Sequence, residues 1–405
     1  MVKLPSIKDK GIELEGKVVI VRTGMDVPLD DKGSVMDDSR IVEAVPTIEY
    51  LIKKSARVVL LTHINRPGGK VVETQRVAST AARLSELLQK EVRAITDCVG
   101  EEVAAAVKEM KDGEIVFLEN LRFHPEEEAN DDAFAQQLAK LGHIYVNDAF
   151  SNSHRAHASI VAITRHLPSY AGLLLEKEIK ALSGVLEKPK KPFVVVLGGA
   201  KVSDKIGVIK NLGAIADKIL IGGAMMFTFY RSRGFDVGSS KFEADKVSLA
   251  DDLINELDAK IVLPVDAVVA DKFANDARAQ VVAASEIPKG WMGLDIGPDS
   301  VARFAEELRE ARTIVWNGPM GVFELPKFSE GTAALARVIS ELTPQVSTII
   351  GGGDTLSAVD KLGLKGKFSH TSTGGGAMLE LLEGKTLPGI AALLEAASPA
   401  SKDGE

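Results

Sequence analysis

A chain of 405 residues exceeds what one ordinary hydrophobic core supports, so two domains are expected. Its 45% hydrophobic and 26% charged residues suit a globular protein in water, and a net charge of −8 argues against a nucleic-acid or membrane-surface partner. The single cysteine, Cys98, excludes an internal disulfide and fits a reducing cytosol; beside Asp97, in no nucleophile context, it reads as a buried thiol.

The first residues, Met1-Val2-Lys3-Leu4-Pro5-Ser6, lack the apolar core of a secretory leader. No apolar run reaches bilayer length, so a cytoplasmic location is expected. Short β-branched runs then alternate with segments of helical period. Strands are predicted at 18–22, 58–62, 92–95, 115–118 and 144–146, then at 193–197, 219–221, 261–265, 313–316 and 348–350. Apolar residues at three- and four-residue spacing predict helices at 78–89, 133–141 and 300–311. Strand, helix, strand without hairpin signals predicts parallel sheets covered on both faces.

A helix at 173–186 ends at Glu187-Lys188-Pro189-Lys190-Lys191-Pro192, where proline forbids helical continuation. The expected class is α/β: two doubly wound parallel-sheet (Rossmann-like) domains joined by a helix. Their bounds are 1–172 and 193–388, with 173–192 as connecting helix and hinge and 389–405 as a last segment. The tail Ser401-Lys402-Asp403-Gly404-Glu405 reads as a frayed end. Ligands of such sheets sit at the carboxyl ends of the strands.

The first half places basic residues at those ends: Arg40, His63, Arg66, Arg122 and Arg155. A guanidinium fork matches carboxylate or phosphate oxygens two at a time, so the set suits a small, doubly anionic ligand. One at a time, each reads more readily as a solvated loop charge or the partner of a nearby acid; recurrence at one sheet edge reverses that for the set. His154 and His157 lack a third ligand at metal spacing, and His370 reads as a core or loop histidine rather than a base.

The second half carries glycine-loaded turns after strands. Gly351-Gly352-Gly353-Asp354-Thr355, Gly374-Gly375-Gly376 and Asn317-Gly318-Pro319-Met320-Gly321 each run into helical sequence. Backbone N–H groups at a helix start lack internal partners and carry partial positive charge, and glycine admits a bulky anion. Three such turns predict a phosphate site. Gly198-Gly199-Ala200-Lys201 forms a fourth, with Lys201 and Lys205 expected on one helix face. Neither G-x-x-x-x-G-K-[ST] nor G-x-G-x-x-G is present, since residue 356 is leucine. Asp354, a hard oxygen donor beside a phosphate turn, is the candidate Mg²⁺ ligand, unless it merely caps the next helix. Glu324 is a candidate for a ribose hydroxyl.

Together these residues resemble phosphoglycerate kinases along nearly the whole chain. The matching blocks, in order, include DDSRIVEAVPTIEYL, THINRPGG, FLENLRFHPEEE, VNDAFSNSHRAHAS, VVVLGGAKVSDKI, IGGAMMFTF, WNGPMGVFE, IIGGGDT and STGGGAMLELLEGKTLPG. The resemblance implies reversible, Mg²⁺-dependent phosphoryl transfer from 1,3-bisphosphoglycerate to ADP, giving 3-phosphoglycerate and ATP in glycolysis and gluconeogenesis. It implies that Arg40, His63, Arg66, Arg122 and Arg155 hold the three-carbon acid on the N-terminal domain, with Gly24, Met25, Asp26, Ile64 and Asn65 around it. It implies that Gly199, Ala200, Lys201, Lys205, Asn317, Pro319, Glu324, Gly352, Gly353, Asp354 and Thr355 hold the Mg-nucleotide on the C-terminal domain. Gly222, Gly223 and Leu294 would line the adenine side. Backbone donors at Gly353, Gly375 and Gly376 would meet the transition state, with Arg40 and Lys201 as catalytic cations. The last segment would return to the first domain, and a monomer is expected, with a homodimer as the alternative.

The chain departs from the family's V-D-F-N-x-P block, which here reads Thr23-Gly24-Met25-Asp26-Val27-Pro28. Gly24 replaces an aspartate that contacts the substrate, and Asp26 replaces an asparagine, so a one-residue shift of the acid is one route to the same contact. Ile64-Asn65 and Ser151-Asn152-Ser153 also differ from the usual residues, which suggests a divergent branch, archaeal in character. No general base is expected, because the attacking oxygen is an ionised phosphate or carboxylate. Positioning and charge neutralisation then suffice. The two half-sites would have to meet, with 173–192 as hinge material. Competing expectations are another carboxylate (acyl-phosphate) kinase, a non-catalytic nucleotide-binding scaffold and a dehydrogenase, the last disfavoured by the missing fingerprint.

Overall fold

Two compact units make up the chain, Met1–Lys180 with Thr386–Glu405, and Ala181–Lys385. The computed structural model describes residues 3–398, so the expectations for Met1-Val2 and for the tail lie outside the described residues. The first unit contains β1 (Val18–Thr23), β2 (Arg57–Leu61), β3 (Val92–Ala94), β4 (Ile115–Phe117), β5 (Ile144–Asp148) and β6 (Ser169–Ala171). All pair in parallel, in the order β3-β4-β2-β1-β5-β6. Val19 and Val21 of β1 enter one core cluster, and Val18 and Ile20 enter another. A strand buried on both faces needs apolar side chains at successive positions, which is why these strands read as continuous runs. The chain adds β2, β3 and β4 on one side of β1, then β5 and β6 on the other. The switch in direction therefore falls between β1 and β5, where Thr23 pairs with Asp148.

The second unit contains β7 (Phe193–Leu197), β8 (Lys218–Ile221), β9 (Ile261–Val262), β10 (Asp266–Ala270), β11 (Ala279–Ala283), β12 (Met292–Ile296), β13 (Thr313–Asn317), β14 (Ser347–Gly351) and β15 (His370–Ser372). Its parallel sheet runs β15-β14-β13-β7-β8-β9, with the switch between β7 and β13. The other three strands form an antiparallel sheet, β11-β10-β12. This corrects the expectation of parallel pairing throughout. The predicted strand at 261–265 stops at Val262, ahead of Pro264, and the chain restarts as β10 in a different sheet. β11 is mostly exposed and shows no core alternation.

Predicted helices appear with small shifts. That at 78–89 is Ala78–Leu88, ended by Gln89 at φ 50°. That at 133–141 is Asp132–Ala139, where Asp131 accepts the Phe134 N–H at 2.7 Å as N-cap. The helix at 300–311 begins at Pro298, a residue suited to a first turn. Helix Leu173–Glu187 carries the chain out of the first unit. Helix Pro388–Ala396 belongs to that first unit, and its Gly389 N–H donates to Ser153 O at 2.8 Å.

Candidate active site

Asp26 is the centre of the first unit's carboxyl edge. Its Oδ1 accepts the Asn65 N–H at 2.9 Å, and its Oδ2 lies 3.3 Å from His63 Nε2. Arg40 Nη1 donates to Asp26 O at 2.6 Å and stands 3.9 Å from Oδ2. Burial alone would raise the Asp26 carboxyl; the hydrogen bonds from His63 and Asn65 and the Arg40 charge outweigh it and hold the group well below the usual range. Arg122 Nη1 donates to Asn65 O at 2.7 Å, and its Nε is 3.1 Å from Glu128 Oε1. Four of the predicted residues are thus gathered: Arg40, His63, Asn65 and Arg122, all around Asp26.

Arg22 was missed by sequence reasoning, although a charge closing V-V-I-V-R in a buried strand was the available signal. It is fully buried. Its Nη2 lies 2.9 Å from His63 Nδ1, and its Nε donates at 2.9 Å to Ser159 Oγ. Ser159 Oγ in turn donates to Glu127 Oε1 at 2.6 Å. Arginine has only donors, so His63 Nδ1 accepts and Nε2 carries the proton facing Asp26. Burial, then the Arg22 charge, pushes the His63 imidazole down to about 4 against the pull of Asp26. His63 is therefore neutral near pH 7 and bonded on both sides, a fixed donor rather than a proton acceptor.

Arg66 is exposed and Arg155 half-buried, and neither side chain has an ion pair among the described residues. Met25 and Ile64 point into the core, where both are fully buried. Gly24 follows β1 directly. A Cβ built on it would lie 2.8 Å from Ser151 Oγ, so Ser151 occupies the space beside the departure from the family block. Asp97, Cys98 and His124 also cluster, but His124 Nε2 pairs with Asp97 Oδ1 at 2.7 Å and the buried thiol donates to Glu119 O.

The glycine turns of the second unit serve two different purposes. At the β7/β13 switch, a Cβ on Gly198 would sit 2.0 Å from Pro319 O, and one on Gly318 would sit 2.3 Å from Gly198 O. Backbone packs on backbone there, with Gly199 N donating to Pro319 O at 3.0 Å. Gly222 lies against the Met320 side chain, and Gly223 against the Gly199 backbone. At Gly199, Gly353 and Gly375, by contrast, a Cβ would meet nothing within 4 Å. Gly353 opens helix Gly353–Lys361, and Gly375 precedes helix Gly376–Leu382. Those backbones face free space.

Lys201 and Lys205 do not share a helix face, because helix Ile206–Ile215 starts only after both. Ser203 is held by Glu243, through its N–H at 3.0 Å and its Oγ at 2.6 Å, and this bends the segment before the helix. Lys201 and Ala200 remain exposed. Lys205 is buried and donates to Asn317 Oδ1, while Asn317 Nδ2 donates to Gly351 O at 3.0 Å. Burial brings the Lys205 ammonium down to about 8, with Asp204 and Asp354 opposing. Thr355 Oγ1 accepts the Gly318 N–H at 2.7 Å, tying two turns together. Asp354 is exposed in the first turn of helix Gly353–Lys361, and it is not the cap; Gly352 is, without a side-chain bond. An uncommitted carboxylate beside open N–H donors fits a Mg²⁺ shared with phosphate oxygens. Glu324 is exposed, and Leu294 sits in a small apolar cluster with Ala270, Ala277 and Phe328.

The family model described as phosphoglycerate kinase matches residues 8–385. A phosphoglycerate kinase of Thermosynechococcus vestitus is 54% identical over 389 residues, 95% of this chain and 97% of that one. The solved phosphoglycerate kinase of Coxiella burnetii superposes with a TM-score of 0.88 at 38% identity, over 98% of this chain and all of that one. That of Pyrococcus horikoshii gives 0.84 at 33% identity, over 95% and 98%. These identities give the expected archaeal character no support. Among the described residues no helix is long and apolar enough to cross a membrane. The chain belongs to the phosphoglycerate kinase family, enzymes that use Mg²⁺ and ADP or ATP to move a phosphoryl group to and from the carboxylate of 3-phosphoglycerate.

Proposed function

We propose that the carboxyl edge of the first unit holds the three-carbon acid and that of the second unit holds the Mg-nucleotide. The domain bounds 1–172 and 193–388 carry these roles. The observation behind the first assignment is the gathering of Arg40, His63 and Arg122 around Asp26. Asp26 neutralises part of their charge and aims them, and Arg66 and Arg155 supply further positive charge. A cation in the first turn of helix Ser39–Lys53 opposes the helix dipole, and binding an anion offsets that cost.

In the second unit, the open backbones at Gly353 and Gly375 offer N–H groups to phosphate oxygens, and Gly199 leaves room beside them. Lys205, Asn317, Pro319, Gly352 and Thr355 form the frame behind them, and Lys201 meets the transferred phosphoryl group. Asp354 would hold the Mg²⁺, which supplies charge neutralisation on the phosphates. Glu324 is assigned to the ribose and Leu294 to the base. Arg40 and Lys201 neutralise the charge that develops in transfer. No residue removes a proton, since the attacking oxygen is already ionised at neutral pH. His63, fixed as a neutral donor, orients the acid without titrating. We also assign the protein to the cytoplasm, consistent with its single buried thiol, and take it as a monomer.

The test is a coupled assay of the purified chain with ATP and 3-phosphoglycerate, acetate or carbamate. Turnover confined to 3-phosphoglycerate supports the proposal, and equal turnover with acetate would replace it with a general carboxylate kinase. Arg122→Ala is expected to weaken 3-phosphoglycerate binding by calorimetry while leaving Mg-ADP binding unchanged.

A further inference from the structure

Gly24 and Ser151 compete for one spot. Gly24 follows β1 and Ser151 follows β5, so they meet at the switch point of the first sheet, where such folds place ligands. Gly24 has no left-handed φ that would call for glycine. What excludes a side chain is steric: its Cβ would lie 2.8 Å from Ser151 Oγ. Ser151 is half-buried, and the one hydrogen bond of its hydroxyl among the described residues is a long one, 3.4 Å to Asn152 Oδ1. A hydroxyl both donates and accepts, so it retains capacity for a ligand.

We infer that Ser151 is a specificity-determining residue that reads the uncharged hydroxyl of the three-carbon acid, and that Gly24 is glycine in order to leave that hydroxyl its place. The inference rests on the assignment of this edge to the acid and deepens it. The arginines of the edge answer the ligand's phosphate and carboxylate. The hydroxyl on the carbon between them takes any hydrogen-bonding partner, and Ser151 has spare capacity beside Gly24, where the family's aspartate would stand. Ser151 is the neutral hydroxyl at the same edge.

The test compares kcat/KM for 3-phosphoglycerate with that for 3-phosphonooxypropanoate, the same acid without its hydroxyl. The parent chain is expected to prefer the hydroxy acid. Ser151→Ala should cut that preference about fivefold, in line with loss of one neutral hydrogen bond, through KM rather than kcat. Gly24→Ala should do the same by turning the serine away, and the double variant should be no worse than either single. Ser151→Ala opens space, so the result stands even if Gly24→Ala fails to fold; thermal melts report that separately. An unchanged preference in Ser151→Ala, an equal loss for both acids, or additive losses in the double variant overturns the inference. Arg122→Ala separates the two levels. If it leaves the affinity for both acids intact, the acid does not bind at this edge at all. If it weakens both while Ser151→Ala leaves the preference unchanged, only the role of Ser151 falls.

Discussion

The two carboxyl edges reach anion recognition by opposite means. The first unit uses side chains: Arg40, His63 and Arg122 converge on Asp26, and a buried relay of Arg22, Ser159 and Glu127 stands behind them. The second unit uses bare backbone at Gly353 and Gly375, framed by Gly198 and Gly318, which let two turns touch. A side-chain site loses function when an atom is removed. A backbone site loses it when an atom is added.

The largest effects should come from the catalytic cation on each side. Arg40→Ala and Lys201→Ala are each expected to lower kcat on the order of 10²–10³, with smaller changes in ground-state binding. A pure KM effect would take either residue out of the transition state. Next, Asp354→Ala should weaken Mg-ADP about tenfold, about 1.4 kcal/mol, and spare 3-phosphoglycerate. Unchanged nucleotide affinity by calorimetry removes Asp354 from the metal site.

The contrast between glycines can be broken directly. Gly198→Ala, facing Pro319 O, should cost roughly 1–3 kcal/mol of stability through overpacking. Gly353→Ala meets open space, so its melting temperature should hold while nucleotide kcat/KM falls several-fold. If both variants simply lose stability, the second edge is packing and not a binding surface. The smallest effect concerns pH. With the Lys205 ammonium at about 8, nucleotide KM should rise a few-fold as pH passes that value, and Lys205→Arg should flatten the rise. Stability moves the other way. The folded pKa lies below the ordinary 10.5, so the unfolded chain binds more protons between the two values and stability increases with pH there.

Much of the scaffold was legible because buried parallel strands announce themselves. Phe193–Leu197 is five apolar residues in a row, and no other element accommodates that run so readily. Ser169–Ala171 and His370–Ser372 carry no such run, and they are strands because neighbours pair with them. β11 escaped for a different reason: an exposed strand with no core face has no period to read. In the site, charge at strand ends pointed to Arg40, His63 and Arg122. Asp26, the partner of Arg40 and His63, was visible only as a departure from a pattern. Ser151 showed only as one of several departures from the family pattern, because its neighbour Gly24 lies 127 positions earlier. Lys201 and Lys205 were misplaced on a helix because the Ser203–Glu243 tether that delays it links residues 40 apart.

Helix Pro388–Ala396 belongs to the first unit, yet the ribosome makes it after the whole of the second. Every residue of the second unit, Ala181–Lys385, is synthesised while the first still lacks its closing element. The second unit therefore holds all of its own sequence on emergence and can mature first, reversing the usual order of vectorial folding. A nascent chain stalled before Thr386 should remain protease-sensitive in its N-terminal portion.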